Sequence, residues 1–252
     1  MHRLDPRTKI VGTVVYMVSL FCVNSFSAFA LSILLLGTVI AVSKVPLRFI
    51  AKGLKPVLIL IILTMLINLF LTPGELLLSL GPLKVTEEGI YRAAFMALRL
   101  VLLIFGSSML TLTTKPIQLT DGMEALMKPF EKIGLPAHEL AMMMTIALRF
   151  IPTLMDETDK IMKAQTARGA DFESGNFKEK AKALVPLLVP LFVSAFRIAG
   201  DLAMAMEARC YRGGEGRTRM NPMRYSGRDG AAALILALYL AVIIFSRTLG
   251  LF

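Results

Sequence analysis

The stretch that decides the fold runs from residue 136 to residue 213. It reads PAHELAMMMTIALRFIPTLMDETDKIMKAQTARG over residues 136–169 and PLFVSAFRIAGDLAMAMEARCYRG over residues 190–213. Laying Ala208-Arg209 over Ala167-Arg168 gives an offset of 41 residues. At that offset Ile151, Leu154, Met155, Ile161 and Met162 fall on Phe192, Ala195, Phe196, Leu202 and Ala203. That spacing is one face of a helix, so the stretch predicts two long amphipathic helices in a shared register, each ending in an Ala-Arg pair. The matched stripes are expected to pack where the helices cross, through Leu154, Ile161, Ala195, Ala199 and Leu202, the two alanines permitting close passage.

Outside this stretch the chain reads as an all-α membrane protein. It has 252 residues, 56% of them hydrophobic, no tryptophan and a mean hydropathy of +0.67. Helices are the spanning elements such a composition allows in lipid. The formal charge of +10 does not indicate nucleic acid, because no basic run is interleaved with stacking aromatics and a cytoplasmic excess of Lys and Arg is ordinary in membrane chains. Cys22 and Cys210 make neither metal-ligand spacing nor a plausible bridge. His2 and His138 are isolated. No residue cluster predicts a metal, a cofactor or a catalytic site.

Residues 1–113 predict four spans. Ile10 to Ser43 would make a helix of about 50 Å, far beyond a hydrocarbon core of about 30 Å, so a break at Asn24-Ser25 and a hairpin of two short spans are expected. Lys44, Arg48, Lys52 and Lys55 follow without an acid, which places that segment and the N-terminus in the cytoplasm of a multi-pass plasma (cell inner) membrane protein. Pro56 to Leu71 is the third span. Thr72 to Glu88 reads as an outer loop carrying Glu75, Glu87 and Glu88, and Gly89 to Thr113 is the fourth span. Within it Arg92 and Arg99 share a face. Arg99 lies near mid-membrane, where the simplest role is structural, hydrogen-bonded to loop carbonyls or to Glu88, and a role in transport is the alternative.

Residues 114–229 carry charge of both signs and read as a cytoplasmic domain of amphipathic helices. Thr120-Asp121 is expected to cap a short helix to Lys132, and Pro136 to open the first long one. The apolar run Ala183 to Ala195 contains Pro186 and Pro190 and stops at Arg197 and Asp201, too short to span. Both long helices are therefore placed along the cytoplasmic face, with Ser174 and Gly216 inside and Gly74 outside. Residues 230–252 hold a last span, giving about five in all.

At the end of the first long helix, Gly169 can adopt the left-handed conformation that stops it, Arg168 sits where the macrodipole favours a cation, and Ala167 leaves room for another backbone. The guanidinium fork can then pair with a carboxylate or with cap carbonyls on another protein. One such end is ordinary capping. Two in register suggest a pair of docking points.

The motifs Arg149-Phe-Ile-Pro152 with Ala164-Gln-Thr-Ala-Arg-Gly169, and Pro190-Leu-Phe-Val-Ser-Ala-Phe-Arg197 with Ala205-Met-Glu-Ala-Arg-Cys-Tyr-Arg212, resemble the T component of energy-coupling factor transporters. So does the order of spans along nearly the whole chain. The resemblance implies two crossing coupling helices whose ends dock into two ABC ATPase subunits. It also implies a separate substrate-binding S component that takes up vitamins or transition-metal ions such as cobalt or nickel. Carried over, ATPase docking falls on Ala167, Arg168, Gly169, Ala208, Arg209 and Cys210. Cys210 departs from the family, which more often has Gly there, and Gly213-Gly214 is an alternative stop for the second helix one turn later. The chain has no phosphate loop and is expected to be non-catalytic. A conventional ABC importer permease, lining its own substrate path, is the nearest alternative.

Overall fold

The computed structural model describes residues 4–23, 25–80, 83–170, 172, 176–214 and 222–248. His2, Asn24, Ser174 and Gly216 lie outside them. In chain order the described elements are α1 (Pro6–Cys22), α2 (Phe26–Ser43), α3 (Leu47–Lys52), α4 (Leu58–Leu71), strands β1 (Leu76–Leu80) and β2 (Leu83–Thr86), and α5 (Glu87–Thr113). Then come α6 (Pro116–Met127), a 3-10 turn (Lys128–Ile133), α7 (Ala137–Ala167), α8 (Phe177–Ala208) and α9 (Gly227–Thr248). The chain is an all-α membrane protein with one small hairpin. It divides into two compact units, residues 1–126 with 223–252, and residues 127–222.

In the first unit the expected α-hairpin forms. The Asp5 side chain accepts from the Arg7 amide and Pro6 occupies the first turn of α1, while Ser25 caps α2 by accepting from the Ala28 amide. The Asp5 carboxylate also takes two hydrogen bonds from the Arg7 guanidinium, at 3.0 and 2.9 Å. This pairing holds its pKa below the ordinary carboxylate value. The α1–α2 pair packs with α5 and α9 around a core that includes Leu20, Phe29, Leu36, Leu102, Met109 and Ile243. A polar knot within it is the Tyr239 hydroxyl, 2.9 Å from both Ser19 Oγ and Ser32 Oγ. Tyr16 lies so close to α5 that a Cβ on Gly106 would stand 2.7 Å from its ring. Glycine is thus required at the crossing.

Two contacts fix the register of α1 on α5. Lys9 Nζ donates to the Thr113 carbonyl at 2.9 Å, and Arg99 Nη2 donates to the Val23 carbonyl at 2.7 Å. Fourteen residues separate the contacts on each helix, about 21 Å of rise. The α1–α2 turn therefore falls short of a hydrocarbon thickness of about 30 Å, and the carbonyl of its cap residue Val23 has to be satisfied by protein. Arg99 does this, with its guanidinium 4.9 Å from the Phe95 ring centroid. The sequence left a loop carbonyl and Glu88 as alternatives; the carbonyl is the partner.

The outer loop expected at Thr72 to Glu88 is more ordered than that reading. Strands β1 and β2 pair antiparallel, with Leu80 opposite Leu83 and a bulge between Leu76 and Leu78. Thr86 closes the hairpin and opens α5 together, donating to the Thr72 carbonyl at 2.9 Å and accepting from the Gly89 amide at 3.0 Å. Its acids Glu87 and Glu88 stand in the first turn, where the macrodipole favours them.

Two further expectations are corrected. Thr120 and Asp121 are not a cap but lie inside α6, which starts at Pro116; a proline needs no amide acceptor in a first turn, and the Thr120 hydroxyl bonds back to the Ile117 carbonyl. Pro136 is the cap residue of α7 rather than its first helical residue. Pro186 and Pro190 lie inside α8, which is continuous from Phe177 to Ala208.

That continuity changes the length argument. Among the described residues four helices are long and apolar enough to cross a membrane: Phe26–Ser43, Glu87–Thr113, Leu184–Ala208 and Gly227–Phe245, with Leu58–Leu71 a shorter apolar helix. Segment 184–208 qualifies because its prolines do not divide it and its charges, Arg197, Asp201 and Glu207, all fall in its C-terminal half.

Candidate docking site at two matched helix ends

In the second unit α7 and α8 pack on one another. Pro190 has no amide, so the Pro186 carbonyl loses its intrahelical donor; Gln165 Nε2 reaches it from α7 at 3.5 Å. This tie between the helices was missed from sequence. A proline four residues after a carbonyl, with an amide side chain on the neighbouring helix, is the signal that was available.

Both helices end in the same Schellman motif. At the end of α7 the Gly169 amide donates to the Thr166 carbonyl at 2.9 Å and the Ala170 amide to Gln165 at 3.0 Å. At the end of α8 the Cys210 amide donates to Glu207 at 2.9 Å and the Tyr211 amide to Met206 at 3.0 Å. Donors and acceptors correspond one to one at the 41-residue offset. The left-handed position is filled by Gly169 at φ 91° and by Cys210 at φ 55°. The alternative stop at Gly213-Gly214 is thereby overturned: α8 ends at Ala208, because Cys210 itself turns left-handed. Gly214 instead lies against the His138 ring, 2.6 Å from where its Cβ would stand.

The consequence is two equivalent cations in equivalent settings. Ala167, Arg168, Gly169, Ala208, Arg209 and Cys210 are all exposed. Neither the Arg168 nor the Arg209 side chain bonds to another described residue, so both guanidinium forks are free for a carboxylate or a row of carbonyls. Upstream, Ile151 and Met155 on α7 are 50% and 65% exposed, and their counterparts Phe192 and Phe196 on α8 are 61% and 75% exposed. Of the residues expected at the crossing, Leu154, Ile161, Ala195 and Leu202 are half-buried, whereas Ala199 is exposed. The buried positions of α8 include Leu187 and Ser194, one heptad apart and off the Ala199 line.

Comparison with known proteins bears on this arrangement. The family model described as "CbiQ: Cobalt transport protein" matches residues 1–220. The "Energy-coupling factor transporter transmembrane protein EcfT" of Thermosediminibacter oceani is 57% identical over 247 residues, 98% of this chain and 93% of its own length. Its namesake from Clostridium kluyveri is 59% identical over 98% of this chain and 92% of its own length. The one from Bacillus subtilis is 49% identical over 98% and 94%. Paired helix ends of this kind on an all-α membrane chain, with relatives matched from end to end, lead to one conclusion: the chain belongs to the CbiQ family of transport proteins, as a T component of energy-coupling factor transporters.

Proposed function

We propose that the chain is the membrane scaffold that couples ATP hydrolysis by two partner ABC ATPases to uptake through a separate substrate-binding S component. The observation that carries this is the pair of matched helix ends, each presenting beside an alanine an arginine whose side chain bonds to no other described residue. One chain then offers an ATPase pair two equivalent docking points, which a permease with one docking element per subunit cannot do without a second copy. Hydrolysis belongs to the partners. The scaffold sits in the plasma membrane with its N-terminus in the cytoplasm, as the basic segment Lys44 to Lys55 favours. Residues 114–229 supply the cytoplasmic coupling region.

The test is charge reversal at Arg168 and Arg209. Replacing either by Glu removes a charge-assisted contact and puts like charges together, at a cost of about 2 to 5 kcal/mol in docking. ATPase co-purification falls while membrane insertion is unchanged. Full recovery of the ATPases with Arg168→Glu and Arg209→Glu combined would refute the proposal.

The length of 184–208 supports a second reading, in which α8 crosses the membrane. The matched ends argue against it, since crossing would put Arg168 and Arg209 in opposite compartments. Cysteines introduced at Ala170 and Arg212 separate the readings. Both stay shielded from an impermeant thiol reagent in whole cells if the helices lie inside; one reacts if α8 crosses.

Coupling follows from stiffness. With the two arginine ends held by different subunits, closure of the ATPase pair alters how α7 and α8 cross, around Leu154, Ile161, Ala195 and Leu202 with Ala199 at the edge.

A further inference from the structure

The first unit contains a cavity of about 890 Å³ between α1, α2, α5 and α9, a volume typical of ligand sites. Its lining is graded. Arg7, Lys9, Tyr225 and Arg228 stand at the end where α1 and α9 begin, and aliphatic side chains such as Leu36 and Leu236 line the deeper part. A polar mouth above an apolar slot, at the bundle end that also carries the basic Lys44 to Lys55 segment, fits an amphiphile lying along the helices.

The charges at the mouth indicate its sign. Two acids beside it already have partners: Asp5 binds the Arg7 guanidinium, and Asp229 accepts from the Asp5 amide and from the amide and hydroxyl of Ser226. Arg228 is exposed and bonds to no other described residue. Arg7 stacks on the Tyr225 ring with 4.0 Å to the centroid, and Asp5 uses two of its five side-chain N–H groups. Deeper in the cavity the wall includes Tyr16, which is 6% exposed.

We propose that this cavity is a binding site for an anionic diacyl phospholipid, with its phosphate on Arg228 and Arg7 and an acyl chain between α1, α2 and α9. A zwitterionic lipid would bring its own cation to a cationic mouth, and a free phosphate would leave the apolar slot empty. The site is independent of the docking ends and belongs to the membrane unit alone.

Native mass spectrometry of the delipidated full chain, titrated with phosphatidylglycerol and phosphatidylcholine of matched chains, tests this. Phosphatidylglycerol is expected to bind about fivefold more tightly, the contribution of one basic residue near a membrane surface. Arg228→Ala removes that preference, and Leu236→Trp, which narrows the slot two turns below Arg228, lowers occupancy by both lipids. Equal affinity of the unaltered chain for the two lipids would overturn the proposal. So would a preference that survives Arg228→Ala, or binding of soluble glycerol phosphate as tight as that of the diacyl lipid. Melting temperatures in phosphatidylcholine alone confirm that both variants are folded.

Discussion

Exchanging the residue types at the two left-handed positions should move the two helix ends in opposite directions. Gly169 has φ 91° and a Cβ placed there would meet nothing within 4 Å, so Gly169→Ala carries backbone strain and no clash. An L residue in this region costs about 1 to 2 kcal/mol, and the stiffer unfolded chain returns about 0.4 to 1 kcal/mol. The net loss is about 1 kcal/mol, roughly fivefold in a local opening equilibrium. Cys210→Gly runs the other way, relieving the strain at φ 55° for a net gain of similar size. Hydrogen exchange reads this directly, because the Ala170 and Tyr211 amides make the closing bond of each motif. Ala170 should exchange about fivefold faster in Gly169→Ala, and Tyr211 about fivefold slower in Cys210→Gly. If α8 instead continued as a helix to Gly213, a glycine at 210 would weaken it and Tyr211 would exchange faster. That sign refutes the reasoning.

Other expectations follow from the membrane unit. Tyr239→Phe deletes the hydroxyl shared by Ser19 and Ser32 and should lower stability by about 1 kcal/mol in a detergent unfolding titration, since both serines keep their bonds to backbone carbonyls. Arg99→Met leaves the Val23 carbonyl without its donor at membrane depth. A loss of about 1 to 3 kcal/mol is expected, with faster exchange at the α1–α2 turn and little change at Thr113. The depressed pKa of Asp5 makes its stabilisation fully present above its unfolded value of 3.8. That stabilisation is lost as pH falls further through the folded value. Thermal unfolding between pH 7 and pH 3 should therefore show an acid-side decline that is smaller in Asp5→Asn, with no difference in slope between pH 6 and pH 7.

Much of this molecule could be read from its sequence because the relevant signals are local or periodic. The α1–α2 hairpin follows from a run too long for one span and a polar break, and the Ser25 cap lies where the break predicts it. The paired stripes ending at Arg168 and Arg209 follow from a 3.6-residue period repeated at one offset. Tertiary structure decided what depends on partners distant in sequence. The Arg99 acceptor is 76 residues away, and its identity is set by how far α1 rises along α5. The helix through Pro186 and Pro190 persists although each proline removes an amide, and Gln165 across the interface satisfies one freed carbonyl. Cys210 turns left-handed where propensity favours the glycine three residues on. Once the α7 end is copied at α8, the closing bonds of Cys210 and Tyr211 offset the strain of a single residue.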